Sequence, residues 1–175
     1  YWAIDADGNP VKLASLWNDG RAASSIANLT PEQVDVYTRT VGSNPGVSNS
    51  MMQLKWYKDN APEYLEKAAH AFHAKDWVRY KLTGEAHSEV TDCSVSQLNI
   101  LNQEVAQNVY DALGIGECSK LYGKPLNSFD LAGHITAEAA RLTGLKEGTP
   151  VAAGALDVTI TCVGVGAVNP GDVYA

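Results

Sequence analysis

Apolar and polar positions switch between a two-residue and a 3.6-residue period along the chain, and the switches mark its elements. Tyr1 to Ile4, the polar Asp5–Pro10 and then Val11 to Trp17 predict strand, turn and strand, with Asp7-Gly8-Asn9 as hairpin punctuation. Asn18–Arg21 is a loop leading into a helix over 22–29. Thr30 and Pro31 read as an N-cap and first helical residue for a helix through Val41. Gly42–Gly46 is a loop, and Ser48–Tyr57 a helix whose Met51 and Met52 fill core space. A short helix begins at Ala61-Pro62. Ala69–His73 predicts a strand, and Lys75–Leu82 a helix closed by Gly84. After the polar Ser88–Ser94 comes a strand-like Gln97–Leu101, then an amphipathic helix over Glu104–Leu113. Ile115–Phe129 is loop-rich, Gly133–Ile135 a short strand, and Thr136–Leu142 a helix stopped by Gly144. Helices alternate with strands throughout, so the fold class is α/β.

The last unit carries the candidate chemistry. Val151–Ala153 predicts a buried strand after Pro150, and Gly154 breaks it. Val158 to Val165 is apolar nearly all round, the pattern of a helix buried on every side. Asn169-Pro170-Gly171-Asp172 closes the unit as a turn. Asp157 is the only charge between Glu147 and Asp172. A carboxylate alone in such a run is either hydrogen-bonded or working. At a helix start it accepts backbone N–H groups and faces the positive end of the macrodipole, which keeps it ionised, as a base requires. The plainer alternative is a helix cap.

Trp17, Asp19 and Arg21 form a second candidate group. An indole is a flat floor for the C–H face of a sugar, but a tryptophan at a strand end is as readily a core residue. Asp19 and Arg21 suit either hydroxyl binding or bracing of the loop. His70 and His73, three apart, face opposite sides of a strand and make no metal pair. Asp76 reads as a carboxylate at a helix start, and Glu89, Thr91 and Asp92 as structural polarity or sugar contacts.

Composition narrows the classes. The 175 residues suffice for one sizeable core, with 45% hydrophobic and 19% charged residues. A net charge of −7 argues against a nucleic-acid surface, though not against ATP. Three scattered cysteines without a C-x-x-C pair suggest a reduced, cytoplasmic protein. No run reaches the roughly 20 apolar residues of a membrane span. Gly164-Val165-Gly166 lacks the third glycine of a dinucleotide turn, and no Walker-type phosphate loop is present.

Four motifs in order resemble one family. They are Leu16-Trp-Asn-Asp-Gly-Arg-Ala22, Ala74-Lys-Asp-Trp-Val-Arg-Tyr-Lys-Leu-Thr-Gly-Glu85, Ser88-Glu-Val-Thr-Asp-Cys-Ser94, and Leu142-Thr-Gly-Leu-Lys-Glu-Gly-Thr-Pro150 leading to Gly154-Ala-Leu-Asp157. The set resembles the FGGY carbohydrate kinases. The resemblance implies a ribonuclease-H-like, actin-like kinase fold, with residues 1–175 as the sugar-binding part of the N-terminal domain. It implies that Asp157 deprotonates the sugar hydroxyl that attacks ATP, and that Trp17 lines the sugar pocket with Asp19 and Arg21. ATP and Mg²⁺ would be held mainly by parts outside this segment. Both ends fall inside expected strands and no initiator Met is present, so the chain reads as an excerpt, inactive alone. Trp17-Asn-Asp-Gly-Arg21 looks like the xylulose kinases, whereas Leu142–Pro150 with Gly154–Asp157 looks like the branch acting on L-xylulose and tetritols. The expected substrate is therefore a pentulose-like ketose or a short polyol. A homodimer is compatible with this reading. A non-catalytic sugar-binding or regulatory protein with a kinase-like body is the alternative.

Overall fold

Helices outnumber strands in the computed structural model, which describes residues 1–173. β1 (Trp2–Ile4) pairs antiparallel with β2 (His70–Phe72), Ala3 lying opposite Ala71. The expected hairpin over residues 1–17 forms only in part. Its turn is built as the sequence predicts: the Asp5 carboxylate accepts from the N–H groups of Asp7 and Asn9, and Pro10 bridges to Ile4. Val11–Trp17 is not a strand. The N–H groups of Val11 and Ser15 still reach the carbonyls of Ala3 and Tyr1, but the segment between them bends. Leu13 in the middle of the run is 91% exposed, and β1 forms its continuous ladder with β2 on its other edge.

A 3₁₀ turn (Gly20–Ala22) leads into α1 (Ala23–Ala27). α2 (Pro31–Val41) starts where expected, because Thr30 and Gln33 form a reciprocal capping box. α3 (Ser50–Asn60) and α4 (Glu63–Glu66) follow, and then β2 hands the chain to α5 (Ala74–Thr83). α6 (Val90–Cys93) is one turn. Gln97–Leu101 is not a strand either; it is a turn region held by a single bridge between Leu98 and Val105. α7 (Gln107–Ala112) is shorter than predicted, and a 3₁₀ helix (Gly116–Tyr122) occupies the expected loop. The core gathers between α2, α3, α7 and this 3₁₀ helix. Tyr37, Met51, Met52, Leu54, Val109 and Ile115 are fully buried there, with both methionines acting as filler as expected.

β3 (Leu131–His134) pairs antiparallel with β4 (Pro150–Ala152), and α8 (Ala137–Thr143) joins them. A bulge between Leu131 and Gly133 lets β3 approach α5 closely. A Cβ on Gly133 would stand 2.8 Å from the Thr83 Cβ, and its φ of +143° suits only glycine. α9 (Asp157–Gly164) closes the described chain. The expectation that it is buried on every side fails: none of its residues is buried, and Val158, Ile160 and Val163 face outward. Its preceding strand is also half-open, with only Ala153 buried beside it. An apolar pattern records what a helix needs against it, and no element among the described residues supplies that cover. The closing turn forms, with Asp172 accepting from the Asn169 N–H. Of the closing strand expected at 173–175, Val173 lies outside any strand, and 174–175 lie outside the described residues. No helix among the described residues is long and apolar enough to cross a membrane.

Candidate functional site

Asp157 stands at the end of a tightly held connection. β4 delivers the chain to Ala153, and Gly154 turns it with a φ of +78°. Leu156 is extended and takes the cap position of α9, leaving Asp157 as its first helical residue. A leucine side chain cannot cap. The Asp157 carboxylate is exposed, and its one hydrogen bond among the described residues comes from the neighbouring Val158 N–H at 2.8 Å. This is less than a capping aspartate makes, so most of the carboxylate's lone pairs remain open to a ligand.

A buried charge cluster lies beneath that connection. Lys75 places its ammonium 2.7 Å from both Asp76 and Asp92, and 3.4 Å from Glu89. Arg79 pairs with Asp76 at 3.1 Å and donates to the carbonyls of Ala153 and His87. Asp76 and Glu89 are wholly buried. Burial raises the Asp76 carboxyl, but His73 and Lys75 outweigh it and hold it below the usual value. Burial likewise raises Glu89, and the hydrogen bonds from Thr91 and Ser128 bring it net below its usual value. Lys75 loses by desolvation but gains more from Asp76 and Asp92, so its pKa ends up raised. Each charge is thus met by the others, the condition for burying any of them.

The second predicted group is differently placed. Trp17 is 79% exposed, which removes the core reading. Arg21 grips Asp19 through its Nε, at 3.0 and 2.9 Å, and Asp19 also accepts the Arg21 N–H. The hydrogen bonds from Arg21 hold the Asp19 carboxyl below the usual range. The guanidinium lies 5.1 Å from the Trp56 ring and 5.5 Å from the Tyr57 ring. In this arrangement the Asp19–Arg21 pair holds the loop after Trp17 against α3. Gln53 adds a hydrogen bond to the Leu16 carbonyl. The hollow lined by Ser15, Asp19, Arg21, Gln53, Trp56 and Tyr57 leaves no room for a water molecule. No hydrogen bond or ion pair among the described residues joins this loop directly to the Asp157 connection.

His73, Asp76 and Asp92 bring possible metal-ligand atoms within 4.8 Å of one another. The cation there is already present: the Lys75 ammonium touches both carboxylates. A cavity of about 250 Å³ between α4 and the 3₁₀ helix, bordered by Lys58, Leu65, Glu66, Glu117 and Lys120, contains none of the predicted residues. From the sequence alone Asp76 reads as a carboxylate at a helix start and Glu89 as structural polarity or a sugar contact. The signal that singles them out is burial of charge, which becomes visible only in three dimensions.

Comparison with known proteins gives these features a frame. Residues 1–164 match the FGGY family of carbohydrate kinases, N-terminal domain. The chain is 30% identical to the erythritol kinase of Brucella abortus, covering 94% of this chain and 32% of that protein. It is 31% identical to the L-xylulose/3-keto-L-gulonate kinase of Escherichia coli, covering 93% and 33%. It superposes on the crystal structure of the xylulose kinase from Rhodospirillum rubrum with a TM-score of 0.87 and 23% identity, over 97% of this chain and 35% of that one. The chain therefore spans about a third of the length of the relatives it matches, and its fold is that of the actin-like sugar kinases. With a family match that runs through the Asp157 connection, the chain belongs to the FGGY family of carbohydrate kinases.

Proposed function

We propose that these 175 residues are the sugar-binding part of the N-terminal domain of a kinase that phosphorylates a hydroxyl of a small ketose or polyol. The observation that carries this reading is Asp157: a lone carboxylate, exposed, after a positive-φ glycine, at the start of an otherwise uncharged helix, in a chain of this family. Its carboxylate takes the proton of the acceptor hydroxyl, which leaves that oxygen free to attack the phosphoryl donor. Trp17 offers its exposed indole to the apolar face of the sugar, and the Asp19–Arg21 pair sets the angle of that loop. The kinship with erythritol, xylulose and L-xylulose kinases favours a pentulose or a tetritol as acceptor. ATP with Mg²⁺ is the phosphoryl donor that family membership implies. The described residues do not fit either group: their one carboxylate–histidine cluster is filled by Lys75, and no glycine-rich phosphate cradle is among them. We assign both to segments outside this chain.

The test is Asp157→Asn in a full-length protein carrying this chain. Asn cannot accept the proton but has nearly the same shape. Sugar binding and melting temperature should stay near native, while kcat falls roughly 10²-fold or more. A variant that keeps most of its kcat removes Asp157 from the chemistry.

A further inference from the structure

Two hydrogen bonds hold the connection that carries Asp157, one on each side of its bend. On the near side, the Gly154 N–H donates to the Ser128 carbonyl at 2.8 Å. On the far side, the Leu156 N–H, one residue before Asp157, donates to the Thr91 hydroxyl oxygen at 2.8 Å. Both anchor residues turn their hydroxyls to the same carboxylate. Ser128 donates to Glu89 Oε1 at 2.7 Å, and Thr91 donates to Glu89 Oε2, also at 2.7 Å. Glu89 further accepts the backbone N–H groups of Thr91 and Asp92, and faces the Lys75 ammonium.

The direction of these bonds matters. A threonine hydroxyl has one proton and two lone pairs. Because the Glu89 carboxylate can only accept, it takes the Thr91 proton and leaves a lone pair facing the Leu156 N–H. The donor sense of the Leu156–Thr91 branch is set at Glu89, while Ser128, whose carbonyl can only accept, is held in place by its hydroxyl bond to the same carboxylate. Every group around that carboxylate is a donor: two hydroxyls, two backbone N–H groups and an ammonium. An amide in its place would turn its NH₂ toward donors whichever way it was flipped.

We propose that Glu89, acting through Thr91 and Ser128, is the positioning residue for Asp157: it fixes the Gly154–Leu156 bend and so the place from which the carboxylate meets the sugar hydroxyl. This rests on Asp157 being the base. Glu89 itself touches neither sugar nor phosphate. Its effect is geometric, and displacement of a reacting group by about 1 Å can cost up to about 10²-fold in rate.

The experiment compares Glu89→Gln, Thr91→Val, Thr91→Ser and Asp157→Asn in a full-length protein carrying this chain, using xylulose, L-xylulose and erythritol as acceptors. Stability and steady-state kinetics are measured on each variant, with assays well below its melting temperature. Glu89→Gln and Thr91→Val should lower kcat about 10- to 100-fold with the acceptor KM within about 2-fold. Thr91→Ser keeps the hydroxyl and should restore most of the loss. A purely structural role predicts a lower melting temperature with native kcat, and that result in either of the first two variants overturns the proposal. If Glu89→Gln does not fold, the contrast between Thr91→Val and Thr91→Ser decides the question alone: equal rates overturn the proposal, unequal rates support it. Asp157→Asn separates the two levels. If it is inactive while Thr91→Val is fully active, only the positioning role falls. If it is active, the base assignment falls and takes the positioning role with it.

Discussion

Trp17 shows how much a single side chain's burial decides. A core tryptophan truncated to alanine costs about 3–5 kcal/mol. Exposed as it is, Trp17→Ala should change stability by no more than about 0.5 kcal/mol. If the indole floors the sugar site, the acceptor KM should rise several-fold in the same variant, and an unfolding curve with a KM on one preparation checks both halves. The cysteines make a second contrast. Burial pushes the Cys93 thiol up to about 12 and the Cys118 thiol up to about 11, so neither forms thiolate near neutral pH. Cys162 sits half-exposed on α9. Brief alkylation of the isolated chain at neutral pH should modify Cys162 first, read by peptide mass mapping; labelling of Cys118 ahead of it would contradict the burial described here.

Among elements, α2 was the most legible in the sequence, because everything that starts and stops it lies within reach of its own ends. Thr30, Pro31 and Gln33 set its start, and Gly42 adopts the left-handed conformation that stops it. Gln33 is also tied to the Ala112 carbonyl at 2.7 Å, which pins α2 to the end of α7. Thr30→Ala should therefore destabilise the chain by about 1 kcal/mol, measured by urea unfolding, while Thr30→Ser should cost much less. The failures have the opposite origin. Val11–Trp17 has a strand's local pattern and still bonds to β1 through the N–H groups of Val11 and Ser15, but it bends between those two contacts and forms no continuous ladder. Asp157 could be picked out because it is the one charge in a long apolar stretch. Glu89 could not, since its decisive partner Ser128 is 39 positions along the chain and its burial leaves no trace in the local pattern.

At the scale of the whole molecule, the Lys75–Asp76–Arg79–Glu89–Asp92 cluster ties α5 and α6 to Ser128 and Ala153, which flank the β3–β4 pair, so its titration should set the pH range of stability. Asp76 and Glu89 have lowered pKa values, so their contribution is complete above the usual carboxylate range of about 4 and fades as pH falls below it. Lys75 has a raised pKa, so its contribution is complete below about 10.4 and fades as pH rises beyond that. Urea midpoints should form a plateau between these limits and fall on both sides, and Lys75→Met should lower the plateau and abolish the part of the alkaline fall that Lys75 causes. A midpoint that climbs on acidification would refute the sign of these shifts. The uncovered α9 has a practical consequence for anyone preparing these residues by themselves. Val158, Ile160, Val163 and Val165 present a greasy ridge to solvent, the kind of surface that draws in dye, detergent or a second molecule. Purified alone, the chain should light up 8-anilinonaphthalene-1-sulfonate and elute ever earlier from a sizing column as it is concentrated. Swapping Ile160 and Val163 for lysine should quench both behaviours without unfolding the core.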